Sequence, residues 1–149
     1  MSLPTFPLNP DIPALGIRQP WVELILRQEK TLEVRSQPTH IRGEIYLYSA
    51  KQFSDHPSAR VARQRLNLPT AAYVRGLLVG RAWLVDCRPA RPGDAALSGV
   101  GPDALAGQHV WVLERAERFE EPVPVRYLPY GVWFYPLRRK GDAGLGAGD

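Results

Sequence analysis

The sequence predicts a mostly β, α+β fold, in which a small and mostly antiparallel sheet closes, or nearly closes, into a barrel with helices at its ends. Several short segments alternate apolar and polar residues, which is typical of half-buried strands. Two other segments have the apolar spacing of short amphipathic helices. Strands and helices do not alternate along the chain, so a doubly wound parallel sheet is not indicated. We expect about five to seven strands and two or three short helices.

Six segments are predicted to be strands, and one of them is predicted to be central. The stretch from Leu77 to Val85 is apolar on both faces, as expected for a strand with neighbours on either side. The stretch "EIYLYSA" shows a simple alternation of two faces. The predicted strands are 14–17, 29–36, 44–50, 73–87, 108–119 and 132–137.

Two segments are predicted to be helices. In residues 19–28, Pro20 suits the first turn of a helix, where a missing backbone N–H has no cost. In residues 55–69, Ala59 and Ala62 have the spacing of residues on one inward face. Both helices are short, so we expect them to be stabilised by packing against the sheet.

The chain is predicted to form one domain between two terminal extensions. Residues 1–12 are proline-rich and are expected to be an extended arm, and residues 139–149 are expected to be a disordered tail. The folded domain is then expected to cover residues 13–138. Inside it, residues 88–107 are rich in proline and glycine and lack apolar periodicity, so we expect a loop that is the most mobile internal segment.

The composition is that of an ordinary globular protein with a mild preference for polyanions. The 149 residues suffice for one domain with a hydrophobic core. The formal net charge of +4 and the pI near 9.5 lean toward nucleic acid as a partner. Arginine far outnumbers lysine, and arginine is the better bidentate phosphate ligand.

Neither secretion nor membrane insertion is indicated. The N-terminus lacks a basic region followed by an apolar core, and no apolar run approaches the roughly 20 residues that cross a bilayer. Cys87 is the one cysteine, so it has no partner for an internal disulfide, which fits a reducing compartment. We expect a cytoplasmic protein without a membrane partner.

Several kinds of catalytic or cofactor site are not indicated. His40, His56 and His109 have no paired spacing, and with a lone cysteine they give no zinc signature. No glycine-rich phosphate loop follows a strand, and no G-x-S-x-G elbow is present. We therefore expect no cofactor and no structural metal site.

The stretch "EKTLEVRS", which begins at Glu29, carries the candidate functional residues. In a strand, Glu33 and Arg35 point to one face and the intervening apolar residues point to the other, with Lys30 just before them. Such a polar face is either solvated or lines a cleft, and alternation alone leaves both interpretations open. The polar and aromatic residues near this stretch, which we take as further ligand-binding candidates, are Arg18, Gln19, Trp21, Ser36 and Lys51.

The segment "LGIRQPWVELILRQEKTLEVRSQPTHIRGEIYLYSAK" resembles the opening of the ASCH domain, the activating signal cointegrator 1 homology domain of the PUA-like superfamily. Lys30, Glu33 and Arg35 match the charged positions of that family's G-x-K-x-x-E-x-R pattern, and "QPW" matches its helix start. The later segments "LLVGRAWLVDC", "WVLERAERFEEPVPV" and "GVWFY" are similar to its central, penultimate and closing strands. The resemblance spans about residues 14–137.

The resemblance implies a PUA-like β-barrel of mixed or antiparallel strands, with a cleft beside the helix that begins at Pro20. The family is generally regarded as RNA- or nucleic-acid-binding. The resemblance therefore implies that Lys30, Glu33 and Arg35 line the cleft, and that RNA or a nucleotide is the partner. One position departs from the pattern: the family's motif glycine is Gln28 here, and glycine accepts a positive φ that glutamine does not favour.

The first functional hypothesis is a binding module that recognises a nucleotide or an RNA segment. The basic residues Arg18, Lys30, Arg35 and Lys51 hold a phosphate or a base edge, and Trp21 or a tyrosine of the cleft offers a stacking surface. The carboxylate of the motif accepts hydrogen bonds from an exocyclic amine, or holds one of the two motif bases in place. A wider electrostatic footprint is expected from Arg60, Arg63, Arg65, Arg75 and Arg81.

The alternative is a hydrolase that acts on RNA or on a modified nucleoside. Relatives described as amidohydrolases place a threonine nucleophile where this chain has Glu33, and a carboxylate does not replace that hydroxyl in acyl transfer. In a ribonuclease, Lys30 and Arg35 stabilise the pentacoordinate phosphorane and Glu33 is the general base. A desolvated lysine can also act as a base, so Lys30 and Glu33 are the expected acid–base pair, and these three are the candidate catalytic residues. A divalent metal ion is expected only in this case, held by Asp86, Glu33 or Glu114.

For either function we expect Glu33 to contact Lys30 or Arg35 in one concave, partly shielded cleft that Arg18 or Gln19 approaches. Replacement of Lys30 or Glu33 by alanine is then expected to abolish binding or turnover. Little loss of stability is expected, because a polar cleft contributes little packing.

Overall fold

The computed structural model describes residues 7–138, in which six strands form one sheet. The strands are β1 (Ala14–Gln19), β2 (Leu32–Arg35), β3 (Gly43–Phe53), β4 (Leu77–Pro89), β5 (His109–Val123) and β6 (Trp133–Phe134). Among the described residues the α-helices are α1 (Trp21–Leu26), α2 (Pro57–Leu66) and α3 (Ala95–Ser98). Part of the predicted arm, residues 1–6, and the whole predicted tail, residues 139–149, lie outside the described residues.

The strand order is β2-β5-β4-β3-β1-β6, which confirms the predicted α+β class and the mixed, mostly antiparallel sheet. β4 lies between β5 and β3, as its apolar faces predict. The pair β1 and β3 is parallel, and Ala14 lies opposite Tyr46 in its register. This parallel pair was not specified by the alternation pattern, because alternation gives the faces of a strand and not its direction.

The sheet curls until its two edges approach each other, which gives a half-barrel. At the β2 edge, the Arg35 guanidinium donates a hydrogen bond from Nη2 to the carbonyl of Gly16 on β1, at 2.9 Å. The rings of Trp111 on β5 and Trp133 on β6 stack with centroids 5.7 Å apart. Strand twist accumulates across a sheet and brings distant strands together in this way. The gap between the two edges becomes the cleft described below.

Helix α1 follows Pro20 and is shorter than the predicted segment 19–28. All of its residues except Glu23 are buried, so it packs more deeply than an amphipathic surface helix would. Val22 and Ile25 are no more than 1% exposed. Glu23 is the acidic residue of the first turn, and its carboxylate binds Arg27 and Arg118 at 2.8 Å each. This half-buried carboxylate lies between two cations and serves below as a comparison for Glu33.

Residues 88–107 are not the loop that the sequence predicts. Pro89 ends β4, and the residues after it fold into 3-10 turns and helix α3. Ser98 and Leu105 are buried against the core, at 0% and 1% exposure. The segment is therefore a packed insertion and not a lid.

Asp94 organises this insertion through its carboxylate. Arg88 donates two hydrogen bonds to it at 2.8 Å each, and the backbone N–H of Arg91 donates a third at 2.8 Å. The bonds from Arg88, with that of Arg91, lower the pKa of Asp94 to about 2. Short turns held by such contacts have no apolar periodicity, which explains why the sequence pattern indicated a loop.

Gln28 adopts the left-handed backbone conformation that a glycine would adopt without strain. Its φ is 62°, directly after the end of α1. The side chain compensates in part, because its Nε2 donates a hydrogen bond to the carbonyl of Ala116 on β5 at 3.1 Å. With Gln28 in place of the family's glycine, the turn after α1 is therefore retained, and the positive φ costs about 1 kcal/mol in backbone strain.

We expect Gln28→Gly to be more stable than Gln28→Ala by about 1 kcal/mol. Both variants lose the hydrogen bond to Ala116, but only glycine relieves the strain of a positive φ. Urea unfolding of the two variants side by side measures the difference. Equal midpoints with equal slopes would contradict the left-handed assignment of residue 28.

Candidate functional site

The structure brings Lys30, Glu33 and Arg35 into one ion cluster at the edge of the cleft. Glu33 contacts both bases: its Oε1 lies 3.4 Å from Nζ of Lys30, and its Oε2 lies 2.8 Å from Nη2 of Arg35. Glu33 and Arg35 share a face because they are two residues apart on β2, whereas Leu32 is buried on the other face. The predicted contact of the carboxylate with a motif base is present, and it involves both of them.

Lys30 is only 3% exposed, and its ammonium group donates two hydrogen bonds and forms an ion pair with Glu33. Nζ donates to the carbonyl of Leu32 at 2.6 Å and to the carbonyl of Ser98 at 2.5 Å, and it faces Glu33. Burial lowers the pKa of Lys30, and the charge of Glu33 opposes this shift. The ammonium in this environment holds Glu33 in position, and it has no free electron pair with which to accept a proton.

Glu33 is held as a carboxylate in spite of its burial. Burial alone would raise the pKa of Glu33, but the charges of Lys30 and Arg35, with their hydrogen bonds, bring the pKa below its ordinary value. A carboxylate has about four acceptor positions, and the two bases occupy only part of them. At neutral pH the cleft therefore contains a fixed, ionised hydrogen-bond acceptor.

The burial of this cluster changes the expected effect of substitutions. Glu33 is 6% exposed and Lys30 is 3% exposed, so each is the other's main charge partner in a dry environment. The sequence-based expectation of little loss of stability for alanine at these positions assumed a polar cleft that contributes little packing, and the burial of this ion cluster now leads us to expect a larger loss. Removal of Glu33 leaves the buried ammonium of Lys30 without a carboxylate, and removal of Lys30 leaves Glu33 with Arg35 as its one cation, so both changes are expected to be destabilising.

Two adjoining cavities form the cleft, and Glu33 lines both of them. The larger has a volume of about 430 Å³ and the smaller about 240 Å³. Trp21, Glu33 and Ser54 line both cavities, so we treat them as one cleft. The larger cavity alone has a size typical of small-ligand sites, roughly 300–1,000 Å³.

The larger cavity has aromatic and apolar walls and basic side chains. The binding hypothesis expected a tyrosine in the cleft without naming a residue, and Tyr48 on β3 lines the larger cavity. Burial raises the pKa of Tyr48, and its hydroxyl makes no hydrogen bond to another residue of the described part of the chain. Val132 adds an apolar surface, and Arg18 and Arg35 add positive charge.

Sequence reasoning missed two parts of this site. Residues 129–132 contribute a wall of the larger cavity, and they reach it because the N–H of Gly16 donates to the carbonyl of Val132 at 3.2 Å. The carbonyl of Ser98 is an acceptor for Lys30 from the far side of the fold. A backbone carbonyl has no side-chain signature, so the sequence could not place the carbonyl of Ser98 beside Lys30, and the match of "GVWFY" to a closing strand did not indicate that this segment reaches the cleft.

Of the further ligand-binding candidates, the structure brings Arg18 and Trp21 to the cleft, and not Gln19, Ser36 or Lys51. Ser36 and Lys51 are exposed and line neither cavity. Ala50 lines the larger cavity, so the next residue on β3, Lys51, points to the other face of the strand.

Gln19 is a structural residue and not a contact of the cleft. It is 1% exposed, and its Nε2 donates to the carbonyl of Val74 at 3.0 Å. Its Oε1 accepts from the backbone N–H of Glu23 at 3.1 Å, which supports the first turn of α1. Both ends of the amide are occupied, so the expected approach to the cleft is made by Arg18 alone.

Trp21 separates the cleft from helix α3 and is fixed in place. It is 8% exposed, and its ring centroid lies 5.1 Å from Nζ of Lys30. Gly99 has a φ of 81°, and a Cβ at this position would lie only 2.8 Å from Trp21 Cζ3. Glycine is therefore required here by both the backbone conformation and the close approach of the ring.

Residues 7–138 contain no group of three side chains suited to bind a metal ion, so Asp86, Glu33 and Glu114, named for a metal-dependent variant of the nuclease alternative, do not form such a group. Within the same residues, no helix is both long enough and apolar enough to span a bilayer.

The fold and the cleft define a PUA-like domain, a small α+β half-barrel whose charged cleft lies between the edges of its sheet. A family model of the ASCH domain matches residues 15–123, and the chain belongs to the ASCH domain family, which is generally associated with RNA binding.

Two solved structures are similar to this chain in fold. The crystal structure of ASCH from Zymomonas mobilis has a TM-score of 0.56 and 12% identity, over 89% of this chain and 91% of that chain. A tyrosine-to-phenylalanine variant of the same Zymomonas mobilis protein has a TM-score of 0.55 and 12% identity, over 86% of this chain and 91% of that chain. At this identity the likeness shows the fold alone. No curated protein matches the chain significantly.

Proposed function

We propose that this chain binds single-stranded RNA and takes one nucleobase with an exocyclic amine into the cleft. The observation that carries the proposal is the ionised carboxylate of Glu33, which is buried where the two cavities join. In this position Glu33 accepts a hydrogen bond from the amine. Arg35 lies beside it as a donor, since its Nη1 makes no hydrogen bond within the described residues.

An acceptor next to a donor is complementary to the pairing edges of cytosine and adenine. Each of these bases presents an exocyclic amine beside a ring nitrogen that accepts hydrogen bonds, whereas the corresponding group of uracil is a carbonyl. Unstacked bases are commonly recognised through this edge and through stacking on aromatic side chains. Tyr48 and Trp21 supply aromatic walls here, and Arg18 supplies a guanidinium for an adjoining phosphate.

The state of Lys30 favours binding over hydrolysis. A general base needs a free electron pair within reach of the proton that it removes. Nζ of Lys30 is surrounded by the carbonyls of Leu32 and Ser98 and by Glu33. The lowered pKa of Glu33 also weakens that carboxylate as a base. We therefore assign Lys30 as a positioning residue, and Glu33 and Arg35 as contacts of the base.

The test compares the affinities of oligocytidylate, oligoadenylate and oligouridylate octamers of RNA by fluorescence anisotropy. We expect the cytidine and adenosine octamers to bind about tenfold or more tightly than the uridine octamer, because a hydrogen bond to a charged group contributes about 1.5–3 kcal/mol. Equal affinities would contradict the role of Glu33. Chromatography of the same mixtures detects shortened products, and their appearance would favour the hydrolase.

A further inference from the structure

A second cluster of cations surrounds the ring of Phe53, at the end of β3. The Cζ atom of Arg63 lies 3.9 Å from the ring centroid, and that of Arg75 lies 4.4 Å from it. Arg75 also donates a hydrogen bond to the carbonyl of Lys51 at 2.9 Å. We call Lys51, Phe53, Arg63 and Arg75 the Phe53 rim.

The cations of the Phe53 rim have no carboxylate partner among residues 7–138. Two other arginines of the expected electrostatic footprint differ in this respect, since Arg65 pairs with Glu29 at 3.0 Å and Arg81 pairs with Glu44 at 3.0 Å. The rim is also accessible, because Arg75 and Lys51 are exposed and Arg63 is half-buried. Two guanidinium groups are therefore held on one ring, with the exposed Lys51 on the same strand end, and their charges are available to an anion.

Helix stabilisation explains only part of this arrangement. Arg63 lies in the last turn of α2, where the helix dipole favours a positive charge. Arg75 and Lys51 lie on no helix, yet Arg75 stacks on the same ring and donates a hydrogen bond to the carbonyl of Lys51 at the same strand end. Planar guanidinium groups that are stacked on an aromatic ring keep a fixed orientation, and this geometry suits the binding of phosphate oxygens.

The rim adjoins the cleft through the chain itself. Ser54 follows Phe53 and lines both cavities. Phe53 lies opposite Gln19 in the register of β3 and β1, and the residue before Gln19 is Arg18 of the larger cavity. Lys51 and Phe53 point away from the strand face of Ala50, so a nucleic-acid strand whose base lies in the cleft would pass the end of β3 at Ser54 to bring neighbouring phosphates to the rim.

We propose that the Phe53 rim binds the phosphates that flank the base in the cleft, so that the ligand of this chain is an RNA strand and not a free nucleoside. This inference rests on the proposed function and extends it to the class of ligand. The rim contacts the backbone and carries no base preference, since phosphate contacts position a strand without reading its sequence.

The test uses two probes, an oligocytidylate RNA octamer and the nucleoside cytidine, with the full chain and with Arg63→Gln/Arg75→Gln. Loss of two phosphate contacts is expected to reduce the slope of log affinity against log salt by about 1.4, which corresponds to roughly 25-fold weaker octamer binding at 0.1 M salt. The affinity for cytidine, measured by calorimetry, is expected to be unchanged because cytidine has no phosphate.

Two further variants control for charge and folding. Arg115 also stacks on an aromatic ring, with its Cζ 4.6 Å from the centroid of Trp83. Trp83 pairs with Glu44 near the start of β3, roughly 30 Å along the strand from Phe53, so Arg115→Gln is expected to leave the salt slope unchanged. Arg63→Lys/Arg75→Lys keeps both charges and is expected to retain the slope. Melting curves of all variants verify that they are folded.

The outcomes separate this inference from the proposed function. An unchanged salt slope in Arg63→Gln/Arg75→Gln overturns the proposal that the Phe53 rim binds phosphate. The proposal that the cleft binds the base still holds in that case if Glu33→Gln weakens cytidine binding. Equal affinity of the full chain for cytidine and for the octamer also overturns the proposal that the Phe53 rim binds phosphate. An octaglutamate peptide that binds as tightly as the octamer, with the same loss in the variant, overturns the assignment to phosphate. Absence of binding to both the octamer and cytidine overturns both proposals.

Discussion

Lys30→Met is expected to lower the free energy of unfolding by about 3–5 kcal/mol, the effect of breaking a buried ion pair. The substitution leaves the carboxylate of Glu33 in a buried position with Arg35 as its one remaining cation. It also removes the donor from the carbonyls of Leu32 and Ser98. At roughly 2–4 °C per kcal/mol for a domain of this size, the melting temperature should fall by about 10 °C.

Lys51→Met is the matched control for this stability measurement. Lys51 is exposed and makes no ion pair with the described residues, so its replacement should change the free energy of unfolding by no more than about 0.5 kcal/mol. Chemical denaturation at neutral pH measures both variants. A change below about 1 kcal/mol in Lys30→Met would show that Nζ is solvated in solution, and the lysine would then be available as a base after all.

Glu33→Gln is expected to weaken binding of the oligocytidylate octamer by about 10- to 150-fold. Glutamine has nearly the same shape, but it lacks the negative charge and offers one acceptor oxygen in place of two. The variant is also expected to lose stability, because its amide replaces the carboxylate between Lys30 and Arg35. Binding is therefore measured at low temperature, after circular dichroism has shown that the variant is folded.

Glu23→Gln separates lost binding from lost stability. Glu23 is also a poorly exposed carboxylate between two cations, Arg27 and Arg118, and those partners also bring its pKa below its ordinary value against the opposing effect of burial. It lines neither cavity of the cleft. We expect Glu23→Gln to lose stability and to retain octamer affinity. Equal losses of affinity in the two variants would attribute the effect of Glu33→Gln to the fold alone.

Much of the fold could be predicted because its strands are amphipathic or apolar segments of ordinary length. Alternation gave the faces of β2 and β3, and the two-sided apolar character of β4 gave its interior place in the sheet. The prediction of a mobile loop over residues 88–107 was wrong because the hydrogen bonds between Asp94 and Arg88 hold this segment in place. A periodic pattern of apolar residues does not indicate a contact of this kind.

The charged face of β2 could be predicted from the sequence, whereas most of the cleft around it could not. The parity of β2 placed Glu33 and Arg35 together, and the family resemblance added Lys30. Parity on β3 would also have placed Tyr48 and Ala50 on one face, but it does not say which face meets a cavity. The burial of Lys30 depends on a carbonyl distant in the sequence, that of Ser98, and this kind of contact is visible only in the folded chain.

The location of the bound ligand is the most direct test of the claim that the cleft between the sheet edges binds the base. Nuclear magnetic resonance of the ¹⁵N-labelled chain, titrated with cytidine 5′-monophosphate, reports which amide groups the ligand contacts. We predict that the largest shifts occur at the backbone amides of Gly16 and Gly131 and at the indole N–H of Trp21, all of which belong to residues lining the larger cavity. Largest shifts at Ser58 and Val61, in the groove between α1 and α2, with Gly16 and Gly131 unchanged, would contradict it.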